Sequence, residues 1–440
     1  MRAQYHRKEA LTDLAGSVGL GALAPAAPTA VRRRILLYGL NFAPEPTGIG
    51  KFTGEMAEWL ARQGHDVRVI TTAPYYPDWR VSSGYRAWAY RRETWKGVEV
   101  FRTPIWVPRV PSGAKRLVHL ASFAASSLPV LLANLFWRPD LIWCVAPTMV
   151  CAPAGALAAR LCGAASWLHI QDLEVDAAFD LGMLRGARLR RGALFLERAL
   201  VRAFDRVSSI SHNMVAKLRE KGAADQRSVL FPNWADTDVI RPVSGPNAYR
   251  EQLGIPPEAF VVMYSGTMGA KQGLEVLAGA ARRLQAETNM HFLLCGQGAG
   301  RESLEAACIG LERVHWLPLQ PVERLASLLG AADVHVLPQQ RAAADLMLPS
   351  KLTGMLASGR PVLATAEPGT EIARWVEGCG AIVPPEDEVA MAAALGELAR
   401  TPEFCRHLGV AARRRAVEQL SRGSVLQRFE DAMEEILGAH

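Results

Sequence analysis

None of the seven cysteines stands in a C-x-x-C pair; Cys144, Cys151, Cys162, Cys295, Cys308, Cys379 and Cys405 are scattered along the chain. That spacing argues against a zinc site or a disulfide framework and suits a reducing cytosol. No nucleic-acid-binding module is visible. Residues 1–33, rich in Ala, Gly and Pro, lack a clear period and read as a disordered tail. Their apolar part, Val18 to Ala24, is short and broken by Gly19 and Gly21, which weighs against a secretory signal despite Arg2, Arg7 and Lys8. Acid is scarce between Arg80 and Arg116, where nine Lys/Arg face only Glu93 and Glu99, so the formal charge of +7 is concentrated there. Asp, Glu, Lys and Arg are all missing from Leu117 to Trp137, 21 residues long enough to cross a bilayer. Pro129, Asn134, His119 and three serines dilute that run, which reads first as a core helix, then as a helix lying against a membrane interface, and last as a span.

The rest is ordinary globular chain. With 440 residues, 50% hydrophobic and 21% charged, it can bury two cores, and a disordered or fibrous reading is excluded for most of it. The basic stretch also carries Tyr85, Trp88, Tyr90, Trp95, Phe101 and Trp106. Basic residues mixed with interfacial aromatics suit an anionic membrane surface, with Arg86, Trp88, Arg91, Arg92 and Trp95 as expected contacts. A plain solvated face and a nucleic-acid face are the rival readings.

Strand, loop and helix alternate from Arg34 onward. Ile35–Tyr38 is a strand, Asn41–Lys51 a loop, and Phe52–Arg62 a helix that Gly64 ends; Val67–Ile70, Val98–Phe101, Leu141–Val145, Ser166–Ile170 and Val207–Ile210 are further strands. Helical runs cover Met149–Leu161 and Leu189–Ala203. The proline-containing stretch 236–258 reads as a linker, and a second series begins at Phe260, with strands at 260–264, His291–Cys295, Val334–Leu337, Val362–Ala364 and Ala381–Val383. Such alternation implies mainly parallel sheets covered on both faces. The expected division is an N-terminal domain over 34–235, a second domain over 259–405 and a helical segment over 406–440.

Chemistry concentrates at glycine-rich strand ends. Ser265-Gly266-Thr267-Met268-Gly269-Ala270-Lys271-Gln272-Gly273 leaves a strand and opens a helix. Its glycines admit close approach of backbone N–H groups, the helix N-terminus adds partial positive charge and Lys271 a full one, so a phosphate or diphosphate is the natural occupant. The spacing matches neither a dinucleotide fingerprint nor a P-loop. Gly48-Ile49-Gly50-Lys51 is a second such strand end, and the helix Ser350–Ala357, with Ser350 as N-cap candidate and Lys351 in its first turn, is a second phosphate-facing N-terminus.

The wording of these loops carries a family resemblance. Asn41 to Lys51, His169-Ile170-Gln171-Asp172, Phe231-Pro232-Asn233, Ser265-Gly266-Thr267 with Lys271-Gln272-Gly273, and Pro349-Ser350-Lys351 followed by Ala357 to Val362 resemble glycosyltransferase family four, from about Arg34 to the C-terminus. The resemblance implies an α/β chain of the GT-B fold: two Rossmann-like βαβ domains facing each other across a cleft, with C-terminal helices packing back. It implies retaining transfer of a sugar from a nucleoside diphosphate donor, with GDP-fucose as one inherited candidate, to a polyprenyl-diphosphate-linked or growing exopolysaccharide saccharide, without metal or cofactor. Gly48, Gly50, Lys51, Ser265, Gly266, Thr267, Lys271, Ser350 and Lys351 would then hold the donor phosphates, and His169 or Asp172 would face the cleft, with Glu174 and Asp176 close behind. The location implied is cytoplasmic, peripheral to the inner membrane. One departure stands out: two glutamates that the family usually carries before the Gly-x-Pro-Val segment fall here on Leu346 and Gly354, with Asp345 adjacent to the first. A nucleotide-sugar epimerase of the same architecture, and a sugar-nucleotide-binding or scaffold protein without turnover, are the competing functions.

Overall fold

The computed structural model describes residues 31–110, 113–146, 150–172, 187–269, 272–341 and 349–439. The expected disordered tail falls outside these residues apart from 31–33. Among the described residues the chain forms two sheets, one of eight strands in the order β3-β4-β2-β1-β5-β6-β7-β8 and one of six in the order β11-β10-β9-β12-β13-β14.

The first sheet comprises β1 (Arg34–Tyr38), β2 (Asp66–Thr72), β3 (Arg91–Trp95), β4 (Val98–Thr103), β5 (Leu141–Ala146), β6 (Ala165–Ile170), β7 (Arg206–Ser209) and β8 (Ser228–Leu230). Apolar residues run continuously through β1 because both its faces are covered. Leu36 and Tyr38 enter one core with helices α2 (Gly113–Leu135), α3 (Ala152–Cys162), α4 (Ala187–Ala203) and α5 (His212–Glu220). Ile35 and Leu37 enter the opposite core with α1 (Gly48–Arg62) and, from far along the chain, the helix Arg422–Ala439.

That distant helix is anchored by packing and charge. Phe429 lies 4.8 Å from the Trp167 ring and 5.2 Å from Phe231, while Glu430 meets His65 Nε2 at 2.9 Å and Glu434 accepts from Arg33 Nε at 3.0 Å. The antiparallel strand β3 is one that hydrophobic pattern does not show. Its sequence Arg-Arg-Glu-Thr-Trp is mostly charged, and it is held to β4 by a two-residue turn in which Lys96 and Gly97 both take positive φ, the geometry tight hairpins favour.

The second sheet comprises β9 (Phe260–Thr267), β10 (Met290–Gln297), β11 (Val314–Leu317), β12 (Val334–Leu337), β13 (Val362–Thr365) and β14 (Gly380–Val383), all parallel. In both sheets the first strand has its successor on one side and a later strand on the other: β1 lies between β2 and β5, and β9 between β10 and β12. Open α/β sheets bind ligands outside the C-terminal ends of strands at such reversals.

Candidate functional site

The end of β9 differs from the turn expected there. Ser265, Gly266 and Thr267 belong to the strand, paired with β10 through Gly266↔Gly296 and Thr267↔Gln297. On its other side β12 pairs with Val262 and Met263, and β9 runs on past that pairing. The glycines serve close approach between two strand ends. A Cβ on Gly296 would lie 2.0 Å from Gly266 O, and one on Gly298 would lie 2.3 Å from Met268 O. Two amides expected to face an anion are used internally: Met268 N donates to Gln297 O at 2.8 Å and Gly269 N to Gln272 Oε1 at 3.0 Å. Lys271 lies outside the described residues.

The cation at this place is Lys351. The helix Ser350–Ala357 forms as the sequence predicts, except that Pro349 occupies the cap position and Ser350 is its first residue. Lys351 Nζ donates to Tyr264 Oη at 3.1 Å and stands 4.2 Å from the centre of the Tyr264 ring. Its stem runs past Gly266, whose φ of +134° and 3.4 Å virtual Cβ contact with Lys351 Cδ suit glycine. Burial lowers the Lys351 pKa to about 8, and no ion pair among the described residues involves it. A half-buried cation, free of carboxylate partners among the described residues and beside a helix N-terminus, attracts an anion.

The loop after β1 is built around Glu45. Its buried carboxylate accepts from Asn41 Nδ2 at 3.0 Å and from Tyr75 N and Tyr76 N at 3.1 Å each. Burial pushes its pKa up against the pull of these donors. Arg102, also buried, fixes the same loop by donating to Ala43 O at 2.6 Å and Thr72 O at 2.8 Å. Gly50 is explained by Glu45: a Cβ there would lie 2.3 Å from Glu45 Oε2 and 2.7 Å from Glu45 Cβ. Packing of the loop on α1 thus calls for glycine here. Gly48, at φ +62°, opens α1, and Lys51 lies 3.8 Å from Glu55 with its ammonium 5.2 Å from the Phe52 ring centre. Gly50→Ala is expected to destabilise the fold by about 1–3 kcal/mol through overpacking, measurable by chemical denaturation; an unchanged midpoint would show that the loop yields freely.

His169 lies in the interior, at the wall of a narrow crevice. It is 1% exposed, stacked on Trp143 at 5.4 Å and 16°, edge-on to Phe231 at 5.1 Å, and bonded through Nδ1 to Ser208 Oγ at 2.9 Å. Burial drives its pKa to about 3, so the ring is neutral at physiological pH. The aromatic cluster closes over most of the ring. With Thr53, Gln171, Asn233 and Trp234 it lines a narrow crevice. Asp172, partly buried, has its pKa raised by burial; Glu174 and Asp176 lie outside the described residues.

The two sheets meet at Glu371, at the start of the helix Glu371–Val376. Its Oε1 accepts from His212 Nδ1 at 3.0 Å and Trp375 Nε1 at 2.8 Å, and its Oε2 from Asn213 N at 3.3 Å. Burial opposes ionisation here, but the His212 and Trp375 bonds outweigh it and hold the carboxyl below its usual range. Pattern reading missed this carboxylate, whose one signal was its place just past the end of β13.

A glycosyl transferase 4-like domain matches residues 47–234, and a glycosyl transferases group 1 domain matches residues 259–401. The chain is 43% identical over 406 residues, covering 90% of itself and 98% of the relative, to an Escherichia coli K12 protein provisionally assigned as the colanic acid biosynthesis glycosyl transferase WcaI. The chain belongs to the group 1 and 4-like glycosyltransferases. Among solved structures it resembles sucrose-phosphate synthase from Thermosynechococcus elongatus, with a TM-score of 0.69 and 20% identity over 93% of this chain and 100% of that one. It also resembles Anabaena HepE in complex with UDP, with a TM-score of 0.66 and 16% identity over 91% and 100%. The fold of this glycosyltransferase is GT-B.

Two further features of the glycosyltransferase bear on what the sequence suggested. A side chain at Gly354 would meet Leu329 and Ile240 at 3.5 and 3.7 Å, an apolar setting unsuited to the glutamate expected there. Leu346 and Asp345 lie outside the described residues. The basic aromatic cluster is also divided. Arg91 pairs with Glu93, Arg92 with Glu99, and Trp95 packs on the α1 side of the sheet. Arg86, stacked 5.4 Å over Trp88, stays exposed on the other flank, and nearby Tyr90 donates to Ser126 O of α2 at 3.0 Å.

Proposed function

We propose that this glycosyltransferase moves a sugar, with retention of configuration, from a nucleoside diphosphate donor to a lipid-linked saccharide in exopolysaccharide assembly of the colanic-acid type. Lys351 carries the reading. It is a partly desolvated cation, unpaired by acid among the described residues, at the strand reversal of the second sheet. A diphosphate leaving group gains negative charge as the glycosidic bond breaks, and a cation already in place stabilises that charge without reorganising. The charge of Lys351 and the helix N-terminus at Ser350 supply this role in our proposal, so transfer is expected to proceed undiminished in chelator. GDP-fucose is among the donors to be tried first. The family relation to a relative named for colanic acid supports the substrate class, and the UDP held by HepE supports the donor class.

The test is a thermal-stability screen of the full chain with UDP-, GDP- and TDP-sugars. A cognate donor at about 100 times its dissociation constant is expected to add roughly 2.7 kcal/mol of stability. A shift confined to one base identifies the donor for transfer assays, in which the anomeric configuration of the product is read directly. Absence of a shift with every nucleoside diphosphate sugar, together with absence of transfer to lipid-linked acceptor, would overturn the proposal.

A further inference from the structure

Helix α2 is long and apolar enough to cross a membrane, yet its inner side is packed on β2, β4 and α3. His119, Phe123 and Leu131 face inward. Only about a third of its apolar stretch is buried, and Val118, Leu128, Leu132 and the following Phe136, 93% exposed, fall at helical spacing along its outer side. A soluble surface helix carries charge on that side; this one carries apolar residues.

The apolar surface continues sideways. Helix α3 packs beside α2, and α4 beside α3. Leu157 and Leu161 of α3 and Phe195 and Leu196 of α4 are all exposed. Around them stand Lys115, Arg116, Arg160, Arg191 and Arg198, each exposed and none in an ion pair among the described residues. Acid is absent from the sequences of α2 and α3, and the one acid of α4, Glu197, is buried against Lys221. Trp88, Tyr90 and Trp106 flank the α2 edge, where Trp106 N donates to Ser122 Oγ at 3.0 Å.

We propose that the outward faces of α2, α3 and α4 form one seat for an anionic phospholipid surface, with the apolar side chains entering the interface and the cations meeting headgroup phosphates. Contiguous exposed apolar area marks an interaction site, and the basic border selects an anionic partner. A second copy of this chain would set that border against itself, cation to cation, which disfavours a dimer here. The proposal rests on the reading of a lipid-linked acceptor and moves the seat from the Arg86–Trp95 segment to the helical face beside it. Among those residues Arg86 and Trp88 remain at its edge.

The test is sedimentation of the full chain with vesicles of phosphatidylcholine alone and with about 30 mol % phosphatidylglycerol, at low and high salt. Wild type is expected to pellet with the anionic vesicles only, and less at high salt. Leu132→Glu with Phe136→Glu, and separately Arg191→Gln with Arg198→Gln, are each expected to weaken binding by about tenfold or more. Both variants are expected to keep the nucleotide-induced thermal shift, which establishes that they fold and separates this proposal from that of the donor site. Failure of wild type to bind anionic vesicles overturns the proposal. So does unchanged binding by both variants, or a dimer in solution that the Leu132 and Phe136 changes dissociate. Loss of the thermal shift in wild type would instead sink the donor reading and leave the vesicle result standing.

Discussion

Replacing Lys351 with Met is expected to stabilise the unliganded protein while removing most of its activity. The amine titrates near 8 in the fold because burial disfavours its charged form, against 10.5 as the ordinary value. A group whose folded pKa is depressed in this way binds protons less readily folded than unfolded, so its cost is fully present below about pH 8 and is relieved as pH rises toward 10.5. The shift corresponds to at most about 3 kcal/mol, and loss of the contact with the Tyr264 ring returns about 0.5–2 kcal/mol of that. The variant is therefore expected to be more stable than wild type by about 1–2 kcal/mol at pH 7, the gap closing between pH 8 and 10.5. Activity moves the other way. Loss of a preorganised charge at a leaving group costs about 10²–10³ in rate. Chemical denaturation across that pH range, with transfer assays on the same samples, decides the matter; a variant less stable than wild type and still active would show that Lys351 is structural.

The second large effect lies far from that cation. Phe429 is 1% exposed and sits at the centre of a ring cluster with Trp143, Trp167 and Phe231, through which the helix Arg422–Ala439 closes one core of the first sheet. Phe429→Ala removes an aromatic ring that the surrounding side chains cannot replace, and is expected to cost about 3–5 kcal/mol. His169 belongs to the same cluster, so its ring environment, read by NMR, is expected to change as well. A loss below about 1 kcal/mol would mean that the helix is held by its ion pairs with Arg33, His65 and Arg206 alone.

Legibility in the sequence followed hydrophobic content. β1, β5 and β12 are short apolar runs buried on both faces, and the helix Ser350–Ala357 carries its own period and its glycine stop, so pattern alone locates them. β3 is charged and is a strand only because β4 lies beside it. At the site, Lys351 was singled out by its place in the first turn of a helix, and the structure sets its ammonium against Tyr264. His169 was read as outward because nothing local distinguishes a strand-end histidine in water from one beneath Trp143 and Phe231; the closing residues come from β5 and from the segment after β8. The packing role of Gly50 was missed for a similar reason. Its partner, Glu45, is near in sequence, but the contact depends on how the loop folds back over α1. Arg91 and Arg92 looked free until β4 supplied Glu99 and β3 its own Glu93.

The helix Arg422–Ala439 also sets an order of events during synthesis. The first sheet is complete by Leu230, yet Val425, Leu426, Phe429 and Met433 supply part of its core. A nascent chain that has released β1 to β8 therefore holds an aromatic floor of Trp143, Trp167 and Phe231 exposed while the entire second sheet is still being made. Chaperone engagement should peak in that interval, and a stalled chain ending before Arg422 should aggregate through those three rings.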